Sequence, residues 1–256
     1  MLGLSSLCAL WRDFALATTV LTRLPLDRSG AAAPDGLARA AWAMPLVGIA
    51  VGLAGGLAYA LGFGLGLPPA LCALLALAAT AFLTGALHED GLADTFDGLG
   101  GGRDRTHKLS IMRASNIGTY GVLALLFSLG FRAGALTTIF EVGAVVIALI
   151  GAHALARAVL PAVMAALPLA REDGLAAGFG HVEPRRAVVS LALGGGIAWI
   201  ALGFSAAVIG LFVACVAALL VAWIAKAQIG GYSGDILGAA EQAAECAVLL
   251  ILVALL

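Results

Sequence analysis

The stretch 88–102, HEDGLADTFDGLGGG, puts four of the chain's fifteen acidic residues into fifteen positions of an otherwise apolar sequence. On a helix advancing about 100° per residue, Asp90, Asp94 and Asp97 share one stripe at i, i+4 and i+7. Leu92, Phe96 and Leu99 fall on the opposite side. Carboxylates at that spacing repel one another, so a cation among them is the economical remedy. An all-oxygen donor set favours Mg²⁺ or Mn²⁺, with waters and substrate phosphates completing the shell. Zinc is disfavoured, because His88 has no second His or Cys at ligand spacing. The glycines at 91, 98, 100, 101 and 102 suit close approach of a ligand to the backbone.

Cations follow the acids directly: Arg103, Arg105, Lys108 and Arg113. Topology signalling accounts for the first two as readily as chemistry does. Arg113 stands in a compact segment at the entrance to an apolar run, and a planar guanidinium there suits phosphate. A second unusual stretch is IGGYSGD, 229–235. Gly230, Gly231, Ser233 and Gly234 before a helix start could present N–H groups to an anion, or Ser233 or Asp235 could simply cap the helix. Asp235 would add a fourth carboxylate from a distant segment, as metal-assisted phosphoryl-transfer sites do. His153 and Arg157 lie one turn apart inside an apolar run, where an ionisable residue implies function or an ion pair; Glu141 is a candidate partner for Arg157. Arg171, Glu172, Asp173 and His181 read as a solvated loop.

These groups need a scaffold, and composition names its kind. The 256 residues are 62% hydrophobic and 11% charged, against about 25% charged for soluble domains. The reading is all-α: a polytopic membrane helix bundle of about seven transmembrane helices with an N-terminal interfacial helix. It forms one integral membrane domain, 1–256. Within it, 1–39 is the interfacial segment, a loop follows at 26–36, and 88–117 and 226–240 are the catalytic cytoplasmic loops. Spans are predicted near 40–66, 70–87, 118–131, 135–160, 187–204 and 206–225, with a short last one ending at 256. Arg132 marks a turn. No cleavable signal peptide is expected, since Arg12, Asp13 and Arg23 interrupt the first apolar stretch. Cys8, Cys72, Cys215 and Cys246 read as small buried hydrophobes. Nothing suggests nucleic acid as a partner.

Seven spans would put the N-terminal segment, 88–117, 165–186 and 226–240 on one side. Arg12, Arg23, Arg28, Arg39, Arg103, Arg105, Lys108, Arg113, Arg171, Arg185, Arg186 and Lys226 then share a face, twelve of fourteen basic residues. The positive-inside rule makes it cytoplasmic.

Together these pieces resemble the cobalamin synthase family, the membrane-bound adenosylcobinamide-GDP ribazoletransferases. The resemblance rests on Thr22-Arg23-Leu24-Pro25, Pro45-Leu46-Val47-Gly48, His88-x-Asp90-Gly91-Leu92-Ala93-Asp94-x-x-Asp97-Gly98, Ile111-Met112-Arg113 with Ile117-Gly118-Thr119, Ala156-Arg157, Ala170 to Leu175, and Gly230-Gly231-x-Ser233-Gly234-Asp235-x-Leu237-Gly238-Ala239. The chain departs at Ala114-Ser115-Asn116, where the family usually carries Asp-Ser-Arg, so an acid and a base are lost together. Tyr232 and Ser233 replace the frequent Gln and Thr.

The resemblance implies Mg²⁺-dependent transfer of the adenosylcobinamide phosphate group to α-ribazole or its 5′-phosphate, with GMP released and adenosylcobalamin or its 5′-phosphate formed. It implies a bacterial cytoplasmic (inner) membrane location, contact with membrane lipid, and room for a homo-oligomer or a complex with other cobalamin-assembly enzymes. In this reading Asp90, Asp94, Asp97 and Asp235 hold metal and carry the chemistry. Arg113, Arg157, His88, Gly230, Gly231, Gly234 and Ser233 bind substrate phosphate. A CDP-alcohol phosphotransferase is the alternative, but the Ala-Arg expected after Asp94-x-x-Asp97-Gly98 is replaced by Leu99 to Gly102. A cation-coupled transporter fits less well, because the ionisable residues cluster at one membrane edge without paired repeats.

Overall fold

A computed structural model describes residues 4–27, 36–174 and 176–256. Arg28, most of the loop expected at 26–36, and Leu175 lie outside the described residues. Twelve α-helices follow in order: α1 (Leu4–Leu21), α2 (Gly36–Ala40), α3 (Met44–Gly64), α4 (Pro69–Thr84), α5 (Leu87–Gly101), α6 (Arg105–Ile111), α7 (Thr119–Ile139), α8 (Val142–Ala158), α9 (Leu160–Ala166), α10 (Pro184–Leu202), α11 (Phe204–Ile229) and α12 (Gly234–Ala254). Among the described residues six segments are long and apolar enough to cross a membrane: Gly36–Gly64, Thr119–Ile139, Val142–Ala166, Pro184–Leu202, Phe204–Ile229 and Gly234–Ala254. The pair α4 and α5 makes a seventh only when both are taken as one bent element. The all-α reading and the span count of about seven therefore hold.

Several boundaries differ from expectation, each for a local reason. The stretch 88–117, expected as a cytoplasmic loop with its acids on a helix, is helical for most of its length: α5 and α6 occupy it up to Ile111, and 112–118 lead into α7. The loop expected at 226–240 shrinks to residues 230–233, between the end of α11 and the start of α12. The third span runs on to Ile139 rather than stopping at 131, so Arg132 marks no turn; it lies buried inside α7, paired with acids from two other helices. Glu141 does not reach Arg157. Its carboxylate caps α8, accepting from the N–H groups of Gly143 (3.1 Å) and Ala144 (2.6 Å).

In a bilayer small residues let helices meet, since apolar side chains gain nothing over lipid. Here α3 lays Gly48, Gly52 and Gly56 along α8. A Cβ on Gly48 would sit 2.5 Å from the His153 carbonyl oxygen, and one on Gly52 2.6 Å from the Ile150 Cα. The N-terminal helix is anchored by the buried Asp13 of α1, which accepts from Arg39 Nε (2.8 Å) and Trp42 Nε1 (3.0 Å). Trp11 on the same helix stays exposed.

One bend positions the chemistry. Gly85 (φ 69°) and Ala86 (φ 57°) are both left-handed, and α5 leaves α4 at 90°. For Ala86 that conformation costs about 1 kcal/mol, a strain the surrounding packing must hold. The turn swings α5 across the end of the bundle where α7 and α12 begin.

Candidate active site

The α5–α12 crossing assembles the site. Gly91 and Gly238 meet at the crossing, where a Cβ on Gly91 would lie 2.9 Å from the Asp235 carbonyl oxygen. Two glycines there let an acid stripe on one helix face an acid in the first turn of another. Asp90 is exposed, Asp94 half-buried and Asp97 buried. The Asp94 carboxylate is partly desolvated and lies in the field of Asp90, Asp235 and Asp97, opposed by Arg171. Gly91→Ala should keep the protein folded yet lower turnover at least about tenfold, because the added methyl must push the Asp235 backbone away from Asp94. A steady-state assay alongside a size-exclusion profile checks it.

Asp97 has a second task. Its two carboxylate oxygens accept from the N–H groups of Gly118 (2.6 Å) and Gly121 (2.8 Å), the free donors at the start of α7. It therefore fixes the direction in which α7 leaves the site. Asp235 is held by Ser233, whose hydroxyl donates to it at 3.1 Å, and by Arg171, whose Nη2 lies 3.2 Å away. Ser233 also caps α12 through the Ile236 N–H. Arg171, expected in a solvated loop, thus belongs to the site. The quoted Ala170–Leu175 motif was the signal for it.

Further contacts pin that loop in place. Pro168 and Ala170 pair with Tyr232 in a short parallel bridge. Arg105 donates to the carbonyls of Ile229 (2.8 Å) and Ala170 (2.6 Å). Gly231 leaves no room for a Cβ, which would meet the Pro168 oxygen at 2.1 Å, and Gly230 ends α11 in the left-handed conformation. Gly230 and Gly231 accordingly serve the turn. Nothing lies within 4 Å of a Cβ on Gly234, the one glycine of the loop facing open space. Burial raises the Tyr232 phenol above its ordinary range, which keeps it neutral. Arg113 is exposed and ion-paired with Asp173.

Arg157 and His153 are not at this surface. Arg157 points inward, its Nη1 2.6 Å from Glu241 and 3.1 Å from His153 Nδ1. Around it lies a buried polar network that the sequence reading missed. Arg132 meets Glu245 at 3.2 Å and Glu89 at 3.5 Å, and Gln242 donates to Glu241 at 3.0 Å. Glu241 and Glu245, one turn apart in an apolar helix, were the available signal. Among the described residues, His153, Glu241 and Glu245 are also the group whose metal-ligand atoms lie within 4.8 Å of one another. Two guanidiniums already neutralise those glutamates, so ion pairing explains the group. His88 reaches this network from α5. Its Nδ1 stands 3.8 Å from Glu241, beyond hydrogen-bond range, and neither ring nitrogen has a hydrogen-bond partner.

Two cavities meet at the stripe. One, of about 540 Å³, is bordered by Glu89, Asp90, Asp94 and the 112–117 segment with Arg113, Ser115 and Asn116. The other, of about 110 Å³, runs under Asp90 and Asp235 between α1, α3, α5, α9 and α12. Asp90 borders both.

Comparison with known proteins names a family. The family model described as cobalamin-5-phosphate synthase matches residues 13–253. A Bradyrhizobium diazoefficiens protein named adenosylcobinamide-GDP ribazoletransferase is 51% identical over 239 residues, covering 93% of this chain and 92% of its own. Proteins of the same name from Mesorhizobium japonicum (44%, 93% and 92% covered) and Sinorhizobium medicae (40%, 93% and 95%) are also similar. No solved structure matches. With a match running from α1 to the last turns of α12, and the acid stripe, its glycine crossing and the Asp235 turn all inside it, the chain belongs to the cobalamin-5-phosphate synthase family.

Proposed function

We infer that this protein is an adenosylcobinamide-GDP ribazoletransferase, acting at the cytoplasmic face of a bacterial inner membrane. The observation that carries the reading is Asp90 at the junction of two cavities, with Asp94 on the side of the larger and Asp235 on the side of the smaller. A displacement at phosphorus needs the attacking and leaving groups on opposite sides of one centre, and two chambers sharing a carboxylate wall provide that.

The residues present suit a magnesium ion. Asp90, Asp94 and Asp235 offer only oxygen, and the mutual repulsion acting on Asp94 calls for a cation. These carboxylates stand further apart than an all-protein cage requires, which fits an ion completed by phosphate oxygens and water. When bound, the ion supplies charge neutralisation for the diphosphate. Asp97, occupied with α7, is proposed as the residue that positions the stripe.

The chain's own groups do the rest. Arg113 swings from its exposed pairing with Asp173 to steady phosphate oxygens of the nucleotide in the larger cavity. Ser233 and Arg171 hold the Asp235 side chain in one orientation. A ribose hydroxyl entering from the smaller cavity forms its bond to the cobinamide-bound phosphorus, its proton passes to a stripe carboxylate, and the bond to GMP breaks. Positioning and neutralisation of charge are most of what this chemistry needs.

The basic residues beside the site support that orientation. Arg105, Arg113 and Arg171 stand at it, and positive charge marks the cytoplasmic side. The test is an assay of detergent-purified protein with adenosylcobinamide-GDP and α-ribazole, with Mg²⁺ and with chelator. GMP release that requires both substrates and the metal is expected; its absence overturns the reading.

A further inference from the structure

Building on the proposed activity, we propose that the smaller cavity is the acceptor-base subsite: it takes the flat bicyclic aromatic base of the acceptor nucleoside. Its walls are apolar and come from five helices, with Val20 and Leu21, Met44, Leu160 and Met164, and Leu237. Its volume of about 110 Å³ is on the scale of a buried cavity that accepts a single benzene ring, about 150 Å³. The open end toward Asp90 and Asp235 extends it to two fused rings, and a corrin macrocycle is far too large to enter. Two methionines in the wall suit an aromatic guest, since thioethers adapt to irregular contacts and favour ring edges.

Polarity inside the cavity is as informative as its size. Asp90, Asp235 and Arg171 stand together at its edge, so a sugar attached to a base seated within would lie against the carboxylates. His88 also lines it, 3% exposed, with Nδ1 on the side of Glu241 at 3.8 Å and both ring nitrogens lacking hydrogen-bond partners. A buried imidazole left unpaired is costly unless a ligand completes it. A benzimidazole-type base carries one unsubstituted ring nitrogen, an acceptor for one N–H from His88.

The test separates this inference from the activity on which it rests. Equilibrium dialysis with labelled α-ribazole measures binding without turnover, and steady-state assays give KM for each substrate. Met164→Trp and Val20→Phe fill the cavity from opposite walls, and size-exclusion profiles establish that each variant is folded. Expected are at least a tenfold weaker α-ribazole affinity in either folded variant, a matching rise in its KM, and a KM for adenosylcobinamide-GDP within twofold of the parent. The riboside of indole, which lacks the acceptor nitrogen, should bind the parent protein at least tenfold more weakly than the benzimidazole riboside. Unchanged α-ribazole binding in a folded variant overturns the subsite, as does a parallel rise in both KM values or equal binding of the indole riboside. Binding that is lost in the variants while the parent releases no GMP would uphold the subsite and sink the transferase reading alone.

Discussion

Asp94→Asn lowers GMP release by at least about 10³-fold, equivalent to about 4 kcal/mol of transition-state stabilisation. Asn keeps the shape and one oxygen but removes the charge, and Asp94 is the acid on which the fields of Asp90, Asp97 and Asp235 converge. Removing that charge relieves repulsion, so thermal stability of the variant should stay level or rise while activity disappears. That opposite movement distinguishes a functional carboxylate from a structural one. Asp97→Asn provides the contrast. It loses the charged acceptor at the start of α7, so its melting temperature should fall, by an amount reflecting about 1 kcal/mol for a lost cap. Paired thermal melts and single-turnover assays read both. An Asp94→Asn enzyme within tenfold of the parent refutes the role assigned to Asp94.

The second large effect lies away from the chemistry. Arg132→Ala should destabilise the protein by about 3–5 kcal/mol, the penalty for leaving a buried acid without its partner. The side chain is 1% exposed and bridges Glu245 of α12 to Glu89 of α5, so its loss strands two carboxylates in an apolar bundle. Three acids, Glu89, Glu241 and Glu245, face two guanidiniums, Arg132 and Arg157, so the network already carries one acid more than it has Arg partners. Arg132→Ala combined with Glu245→Gln restores the original excess and should recover at least half of the lost stability. Thermal melts in detergent test this; a double variant no more stable than Arg132→Ala would show that packing, not charge, is what Arg132 supplies. The network also links the bundle to the site, because Glu89 and His88 sit on the helix that carries the acid stripe.

Composition and spacing alone define the class of the fold and the proposed place of the chemistry, since both are local. Uninterrupted apolar runs define membrane spans within one segment, and acids at i, i+4 and i+7 share a helix face wherever that helix goes. The Asp235 turn was readable for the same reason, from Gly-Gly-Tyr-Ser-Gly-Asp alone. Only the tertiary structure decided which partner each charge takes. In the sequence Arg132 reads as a turn marker and Arg157 as a phosphate ligand, because spacing says nothing about Glu245 or Glu241, about a hundred positions away on another helix. The same limit hid the tie between Asp97 and the start of α7, and the approach of Arg171 to Asp235. The acid stripe was visible as a cluster needing a cation. That it forms the wall between two chambers, one polar and one apolar, comes from the 90° bend at Gly85 and Ala86 and from the glycine crossing of α5 with α12. Those contacts depend on which helices pack together, and no spacing within a single segment encodes them.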